Sequence, residues 1–170
     1  MNLVPMSGIK SPQLHGIGEF MIRKEEVEAA QNAWATGLLE IGSASNWEES
    51  HRLADALVRT LYVTDGSLLF CPTLVQEKSF RSDAEGSVSY FVGRNPAYAE
   101  DKGFALKGWT HVRFENAGII SGDTALAMGH YFFTDANNAI TKVEYTFAYC
   151  KDNSGAVKIQ LHHSALPFSG

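Results

Sequence analysis

Residues 157–167 read Val157-Lys-Ile-Gln-Leu-His-His-Ser-Ala-Leu-Pro167, the pattern of a β-strand that ends before a proline. Alternation with a period of two predicts two faces for this strand. One face carries Val157, Ile159, Leu161 and His163, and the other carries Lys158, Gln160 and His162. His163 is thus expected on the apolar face, either as a packed core histidine or as part of a ligand pocket. A β-bulge near Gln160 would exchange the two histidines, because one extra residue reverses the facing of every later side chain.

Longer strands are predicted upstream of this one. Runs rich in aromatic and β-branched residues, separated by turn-forming residues, are typical of an antiparallel meander. They cover residues 109–116, 124–134 and 142–150. A short strand is expected at residues 67–71, followed by a hairpin return through residues 73–80.

Helical patterns occupy the first part of the chain. Apolar residues recur at helical spacing from Phe20 to Ile41, which predicts an amphipathic helix. The string Asn46-Trp-Glu-Glu49 has the form of a capping box and predicts the start of a second helix. Ser82-Asp-Ala-Glu85 has the same form and predicts a short third helix that ends at Gly93. A loop is expected from residue 94 to residue 108.

This order of elements predicts an α+β fold. N-terminal helices should pack on one face of a curved, mostly antiparallel sheet, with a cavity between them. Residues 19–168 are expected to form one domain, preceded by an N-terminal arm, residues 1–18, whose apolar side chains could lie in a groove. The long strands have two partly apolar faces, so we expect the outer face to pair with a second copy in a homodimer or larger oligomer.

The composition argues against several classes of partner and cofactor. The net charge is −5 and the 14 basic residues are scattered, which is untypical of a nucleic-acid-binding protein. No apolar run approaches the roughly 20 residues that cross a bilayer. The two cysteines have no metal-binding spacing, and adjacent strand histidines diverge, so no metal and no cofactor are expected. A soluble cytoplasmic protein with reduced thiols fits these features.

Six residues are candidates for lining a cavity, although each also has a plain structural explanation as a packed or exposed side chain. A histidine can act as a general base, and a tyrosine hydroxyl can donate a hydrogen bond to a developing oxyanion. Strand parity allows only one of His130 and Tyr131 to face inward. The six candidates are His163, Tyr145, Trp34, Arg113, His130 and Tyr131. No catalytic residue is assigned.

Three strings resemble the SnoaL-like branch of the nuclear-transport-factor-2-like superfamily. They are Asp65-Gly-Ser-Leu-Leu-Phe-Cys-Pro72, the Ser82 capping box before Tyr90-Phe91, and Leu161-His-His-Ser-Ala-Leu-Pro167. Within that superfamily the chain is most similar to bacterial relatives of the association (hub) domain of calcium/calmodulin-dependent protein kinase II, over about Val27 to Pro167. The resemblance implies a cone-shaped fold with a cavity. No kinase signature is present.

The resemblance leaves two functional hypotheses. The first is a homo-oligomeric association domain with a small-molecule cavity and no kinase activity. In that family an arginine occupies the position of His163, so Arg113 would have to supply the charge for an anionic ligand. The second is a cofactor-free isomerase, cyclase or dehydratase acting on an apolar, ring-bearing substrate. The first is preferred here because no acid–base pair stands out in the sequence.

Overall fold

A computed structural model describes residues 21–170 of the protein. Within this range, helices pack on one face of a five-stranded sheet, which confirms the predicted α+β architecture. The predicted N-terminal arm, residues 1–18, and Phe20 lie outside the described residues. The helices are α1 (Lys24–Ser43), α2 (Trp47–Leu61) and α3 (Ala84–Val92), and the strands are β1 (Leu69–Cys71), β2 (Trp109–Ile120), β3 (Ala125–Asp135), β4 (Ile140–Lys151) and β5 (Val157–Ala165).

Near the start of each of the three α-helices, a side chain accepts a hydrogen bond from a backbone amide that the helix leaves free. At α1 the Glu26 carboxylate accepts a hydrogen bond from the backbone N–H of Arg23 at 3.0 Å. At α2 the Asn46 side chain accepts from the backbone N–H of Glu49 at 2.9 Å, as the sequence predicts. At α3 the capping residue is Asp83, whose side chain accepts from the backbone N–H of Gly86. The prediction that Ser82 caps this helix is therefore wrong by one residue. The predicted loop at residues 94–108 contains two short 3-10 helices.

The sheet has the order β1-β5-β4-β3-β2. Strands β2 to β5 form the expected antiparallel meander, and β1 joins the edge of β5 in parallel. The predicted hairpin return after β1 is wrong, since among the described residues β1 is joined to the following segment by a single bridge between Phe70 and Arg81.

The segment after β1 fails to form a strand because its amides have another acceptor. The backbone N–H groups of Gln76, Glu77 and Lys78 all donate to the Glu100 carboxylate, at 2.7, 3.1 and 2.7 Å. These hydrogen bonds lower the pKa of Glu100 to about 2. Pro72 also lacks the N–H that would extend the ladder beyond Cys71.

A β-bulge in β5 changes the facing of the strand's second half. Ala148 of β4 pairs with Leu161, but the next residue, Tyr149, pairs with Ile159. Gln160 is therefore the extra residue and has no partner in the ladder. As a result Ile159 and His162 both face the helices, whereas simple alternation would place them on opposite faces.

The core lies between the helices and the inner face of the sheet, which we define as the face packed against α1 and α2. Alternate residues Val143, Tyr145 and Phe147 of β4 are buried on this face, as the period of two of a β-strand requires. Trp34 of α1 is 1% exposed and touches the rings of Phe91, Phe114, Tyr131, Phe133 and His162. The interior is thus largely aromatic.

The opposite, outer face of the sheet retains exposed apolar side chains. Ile120, Leu126 and Met128 are 66%, 45% and 55% exposed, and Ile120 lies directly across from Leu126 in the β2–β3 ladder. Across residues 21–170 no helix combines the length and the apolar character needed to cross a membrane.

Candidate active site

His162 is enclosed by aromatic rings on the inner face of the sheet. Its side chain is 2% exposed. The ring of Phe70 stacks on the imidazole at a centroid distance of 4.5 Å, and the ring of Phe147 meets it edge-on at 4.2 Å. Burial lowers the pKa of His162 well below its usual value, and the charge of His163 lowers it further. The imidazole is therefore neutral at physiological pH.

Both ring nitrogens of His162 face hydroxyl groups. The Tyr62 hydroxyl lies 2.9 Å from Nδ1, and the Tyr131 hydroxyl lies 3.4 Å from Nε2. Tyr62 also accepts a hydrogen bond from Nε1 of Trp34 at 2.8 Å. The imidazole is thus connected to α1 and α2 on one side and to β3 on the other.

A group of hydroxyls, which we call the inner hydroxyl cluster, lies beside His162. It consists of Thr73, Tyr131 and Ser164. The hydroxyl of Thr73 donates to that of Ser164 at 2.9 Å, and Ser164 is 5% exposed on the same face as His162, two residues later. Burial raises the pKa of Tyr131, and hydrogen bonding to Ser164 opposes that rise only in part. The Tyr131 hydroxyl is consequently neutral near pH 7, and the aliphatic hydroxyls of Thr73 and Ser164 do not ionise at that pH.

Tyr90 of α3 borders the inner hydroxyl cluster. Burial raises its pKa, and hydrogen bonding to the Thr73 side chain acts in the opposite direction. The ring of Tyr90 meets that of Phe70 edge-on at 5.7 Å. Helix α3 therefore places another neutral hydroxyl beside the cluster.

A second polar network links the interior to the edge of the sheet. The side-chain amides of Gln31 and Asn116 exchange two hydrogen bonds of 2.9 Å, and the Tyr145 hydroxyl donates to Asn116 at 2.5 Å. Burial raises the pKa of Tyr145 to about 12. The Tyr145 ring stacks on that of Tyr131 at 5.3 Å, so this network adjoins the inner hydroxyl cluster.

The structure divides the six residues predicted from the sequence between the two faces. Trp34, Tyr131 and Tyr145 lie together inside, within the aromatic interior around His162. Of the three others, His130 is half-buried on the outer face, opposite Glu144. Arg113 is exposed, ion-paired with Glu115, and stacked 4.3 Å above Phe132.

The predicted facing of His163 is wrong. Its side chain is exposed on the outer face, across from Thr146, because the bulge at Gln160 reverses the alternation. His162, Tyr62, Thr73 and Ser164 are the residues that sequence reasoning missed. Tyr62 and His162 are 100 positions apart, and Thr73 and Ser164 are 91 apart, so no local pattern could have joined them.

The described part of the chain does not assemble a metal-binding set. Among residues 21–170 no group of three or more histidine, cysteine, aspartate or glutamate side chains is arranged to hold an ion. The groups next to the His162 ring are the hydroxyls of Tyr62 and Tyr131 and the rings of Phe70 and Phe147.

Comparison with known proteins identifies the family. The profile of the family described as metal-independent carbonic anhydrase matches residues 25–166. A protein named "Metal-independent carbonic anhydrase" from Nostoc sp. (strain PCC 7120 / SAG 25.82 / UTEX 2576) is 38% identical over 168 residues, which are 95% of this chain and 80% of that protein. The crystal structure of a cyanobacterial iota-carbonic anhydrase complexed with bicarbonate is 36% identical and superimposes with a TM-score of 0.86. It covers 95% of this chain and all of that one.

More distant structures share the fold alone. A calcium/calmodulin-dependent protein kinase II association domain from Xanthomonas campestris is 24% identical, covers 88% of this chain and 91% of that one, and gives a TM-score of 0.53. The nuclear-transport-factor-2-like fold expected from the sequence is confirmed. The association domain preferred from the sequence and its alternative, an isomerase-type enzyme, are both wrong, because the stronger matches belong to another family. The chain belongs to the metal-independent carbonic anhydrase family.

Proposed function

We propose that the protein interconverts carbon dioxide and bicarbonate without a metal ion, at a site formed by His162 and the inner hydroxyl cluster. The observation that carries this proposal is the grouping of neutral donors around the buried His162, in a chain that matches the family over residues 25–166. A solved relative, 36% identical, was crystallised with bicarbonate.

The chemistry of the two ligands suits this environment. Carbon dioxide is small, linear and apolar, and aromatic side chains such as Phe70 and Phe147 provide an apolar wall beside His162. Bicarbonate is planar with three oxygens, and the neighbouring hydroxyls of Thr73, Tyr131 and Ser164 can donate to them. In a buried site such donors stabilise developing negative charge more strongly than they do in water.

The reaction joins a water oxygen to the carbon of carbon dioxide and releases one proton from that water. As the O–C bond forms, negative charge develops on the carbon dioxide oxygens, where the donors act. Thr73 and Ser164 are already hydrogen-bonded to one another. Such a pair can accept a proton from the water at one oxygen and pass another onward, so no side chain has to stay ionised. The proton finally reaches solvent.

Stopped-flow measurement of proton release from carbon dioxide and water tests the proposal on protein treated with a chelator and checked for residual metals. We expect the treated protein to keep its full rate. Ser164→Ala and Thr73→Val should each lower kcat/KM by on the order of 10²-fold, the usual cost of one donor to a developing oxyanion.

Thr146→Val is the matched control, because Thr146 lies on β4 with its side chain on the outer face. Its rate should equal that of the wild type. A metal-depleted wild type no faster than buffer would refute the proposed activity. A full rate in both Ser164→Ala and Thr73→Val would refute the site.

A further inference from the structure

The three side chains Trp34, Tyr62 and His162 form a buried line of hydrogen bonds that enters the site from α1. Nε1 of Trp34 lies 2.8 Å from the Tyr62 oxygen, which in turn lies 2.9 Å from Nδ1 of His162. All three side chains are at most 2% exposed. Buried polar groups need hydrogen-bond partners, so the donor and acceptor roles along this line constrain one another.

The direction of the hydrogen bond between Trp34 and Tyr62 is fixed by the chemistry of the indole. An indole nitrogen carries a hydrogen and has no acceptor lone pair, so Trp34 donates and the Tyr62 oxygen accepts. The same hydrogen bond opposes the rise that burial causes in the pKa of Tyr62. Burial still raises that pKa well above its usual value, so the phenol keeps its own proton.

The direction of the hydrogen bond between Tyr62 and His162 follows from that of the first hydrogen bond. Among residues 21–170 the Tyr62 hydroxyl has two hydrogen-bond partners, Trp34 and His162. Trp34 cannot accept, so the phenol proton has one available acceptor, Nδ1 of His162. If Nδ1 carried a proton instead, two donors would point at the Tyr62 oxygen, and its own buried O–H would have no acceptor.

We propose that Tyr62 is a positioning residue which, oriented by Trp34, holds His162 in the tautomer with its proton on Nε2. His162 then presents an N–H toward Tyr131 and the inner hydroxyl cluster. This inference rests on the proposed function for its catalytic meaning, although the tautomer itself can be measured without any turnover.

The assignment gives His162 a definite task in the reaction. A neutral imidazole with its proton on Nε2 donates a hydrogen bond to an oxygen of bicarbonate or of the transition state, and it cannot take the proton of the attacking water at that nitrogen. The proton must leave through the hydroxyls. His162 is thus a hydrogen-bond donor that stabilises charge, while its other nitrogen is held by Tyr62.

Nitrogen-15 NMR of histidine-labelled protein near neutral pH tests the tautomer directly, because protonated and unprotonated ring nitrogens have well separated chemical shifts. The signals of His162 are assigned by their loss in His162→Gln. We expect Nε2 protonated and Nδ1 unprotonated in the wild type. A proton on Nδ1 would overturn the proposal.

Tyr62→Phe tests the role of the phenol with little change in shape. In this variant His162 should lose its preference for the tautomer protonated at Nε2, and the tautomer protonated at Nδ1 should become populated. The matched control is Tyr149→Phe, since Tyr149 is also fully buried but its hydroxyl has no hydrogen-bond partner among the described residues. That control should keep the wild-type spectrum of His162. A Tyr62→Phe spectrum identical to the wild type would overturn the role of Tyr62.

Kinetics of the same variants separate this inference from the proposed activity. Tyr62→Phe should lower kcat by on the order of 10²-fold with a smaller change in KM, because a donor to the transition state is lost. Tyr149→Phe should leave both unchanged. A wild type with the expected tautomer but no carbonic anhydrase activity would refute the proposed function and leave the tautomer assignment standing. Unchanged kcat in a Tyr62→Phe protein with altered tautomer would refute the catalytic role.

Discussion

The guanidinium of Arg81 lies 2.9 Å from the carboxylate of Asp101, and both side chains are completely excluded from solvent. Asp101 also accepts a 2.6 Å hydrogen bond from Ser89 of α3, and the Arg81 guanidinium lies 4.3 Å from the centre of the Tyr98 ring. This ion pair ties the segment after β1 to α3 and to the loop that follows it.

Removing one partner of this pair should be strongly destabilising. In Asp101→Asn the Arg81 charge stays buried without a counter-ion, which typically costs about 3–5 kcal/mol. Urea denaturation measures the loss of unfolding free energy. Glu49→Gln, which breaks the exposed ion pair between Glu49 and Arg52, should leave the midpoint of unfolding unchanged. Equal effects from the two substitutions would contradict the importance of the buried pair.

Stability should depend on the titration of His162 in mildly acid solution. Burial lowers its folded-state pKa well below the ordinary 6.5, so between those two values the unfolded chain binds a proton that the folded chain does not. The stability from this group is therefore complete above about pH 6.5 and is lost as the pH falls toward the folded pKa.

The unfolding free energy measured from about pH 7.5 down to about pH 5 should decrease, and the decrease should be smaller in His162→Gln. His111→Gln, on an exposed position of β2, should retain the wild-type slope. Identical slopes in the wild type and His162→Gln would show that the buried imidazole makes no contribution.

Gly129 lies where β2 and β3 approach one another too closely for a side chain. The β2–β3 register shifts between Asn116 and Gly118, and a Cβ added at Gly129 would overlap the carbonyl oxygen of Glu115. Gly129→Ala should cost roughly 1–3 kcal/mol through overpacking and strand displacement. Gly118→Ala is the control on the neighbouring strand, since no atom lies within 4 Å of its added Cβ. Thermal unfolding that ranks Gly118→Ala as the more damaging change would refute this reading.

The outer face of the sheet is expected to pair with a second copy of the chain. The motive is the exposed apolar group Ile120, Leu126 and Met128, and a stable contact should bury over about 1,000 Å² in total. Light scattering should give a mass above 18.6 kDa at micromolar concentration, and Leu126→Lys with Met128→Lys should reduce it to that value. The control Phe80→Lys, at an exposed position after β1, should leave the measured mass unchanged. A wild-type monomer would contradict the prediction.

Local patterns in the sequence predicted the elements well. The amide of Asn46 caps α2, and the alternation of Val143, Tyr145 and Phe147 gives the inner face of β4, because both features depend on residues a few positions apart. The absence of a hairpin return after β1 did not follow from such patterns. It depends on Glu100, some 22–24 positions away from the amides that it binds.

The candidate site was predicted only in part. Trp34 and Tyr145 are buried, since large aromatic side chains follow the periodicity of their elements. Parity alone left His130 and Tyr131 as alternatives, and Tyr131 is the one that is buried. His162 was expected outside, because an unpaired strand residue leaves no mark in the alternation of the sequence. The functional hypotheses relied on a resemblance that is shared by the whole fold, and one fold carries many activities.

The bulge at Gln160 has a consequence for how the length of this strand can vary. Without Gln160, Ile159, His162 and Ser164 would follow one another in regular alternation and keep the faces that they have now. A relative that lacks this residue would therefore preserve the site with a shorter strand. Deletion of His163 would instead turn the side chain of Ser164 to the outer face and separate it from Thr73. Among related proteins, a deletion at position 160 should accordingly be tolerated, whereas a deletion at position 163 should be selected against.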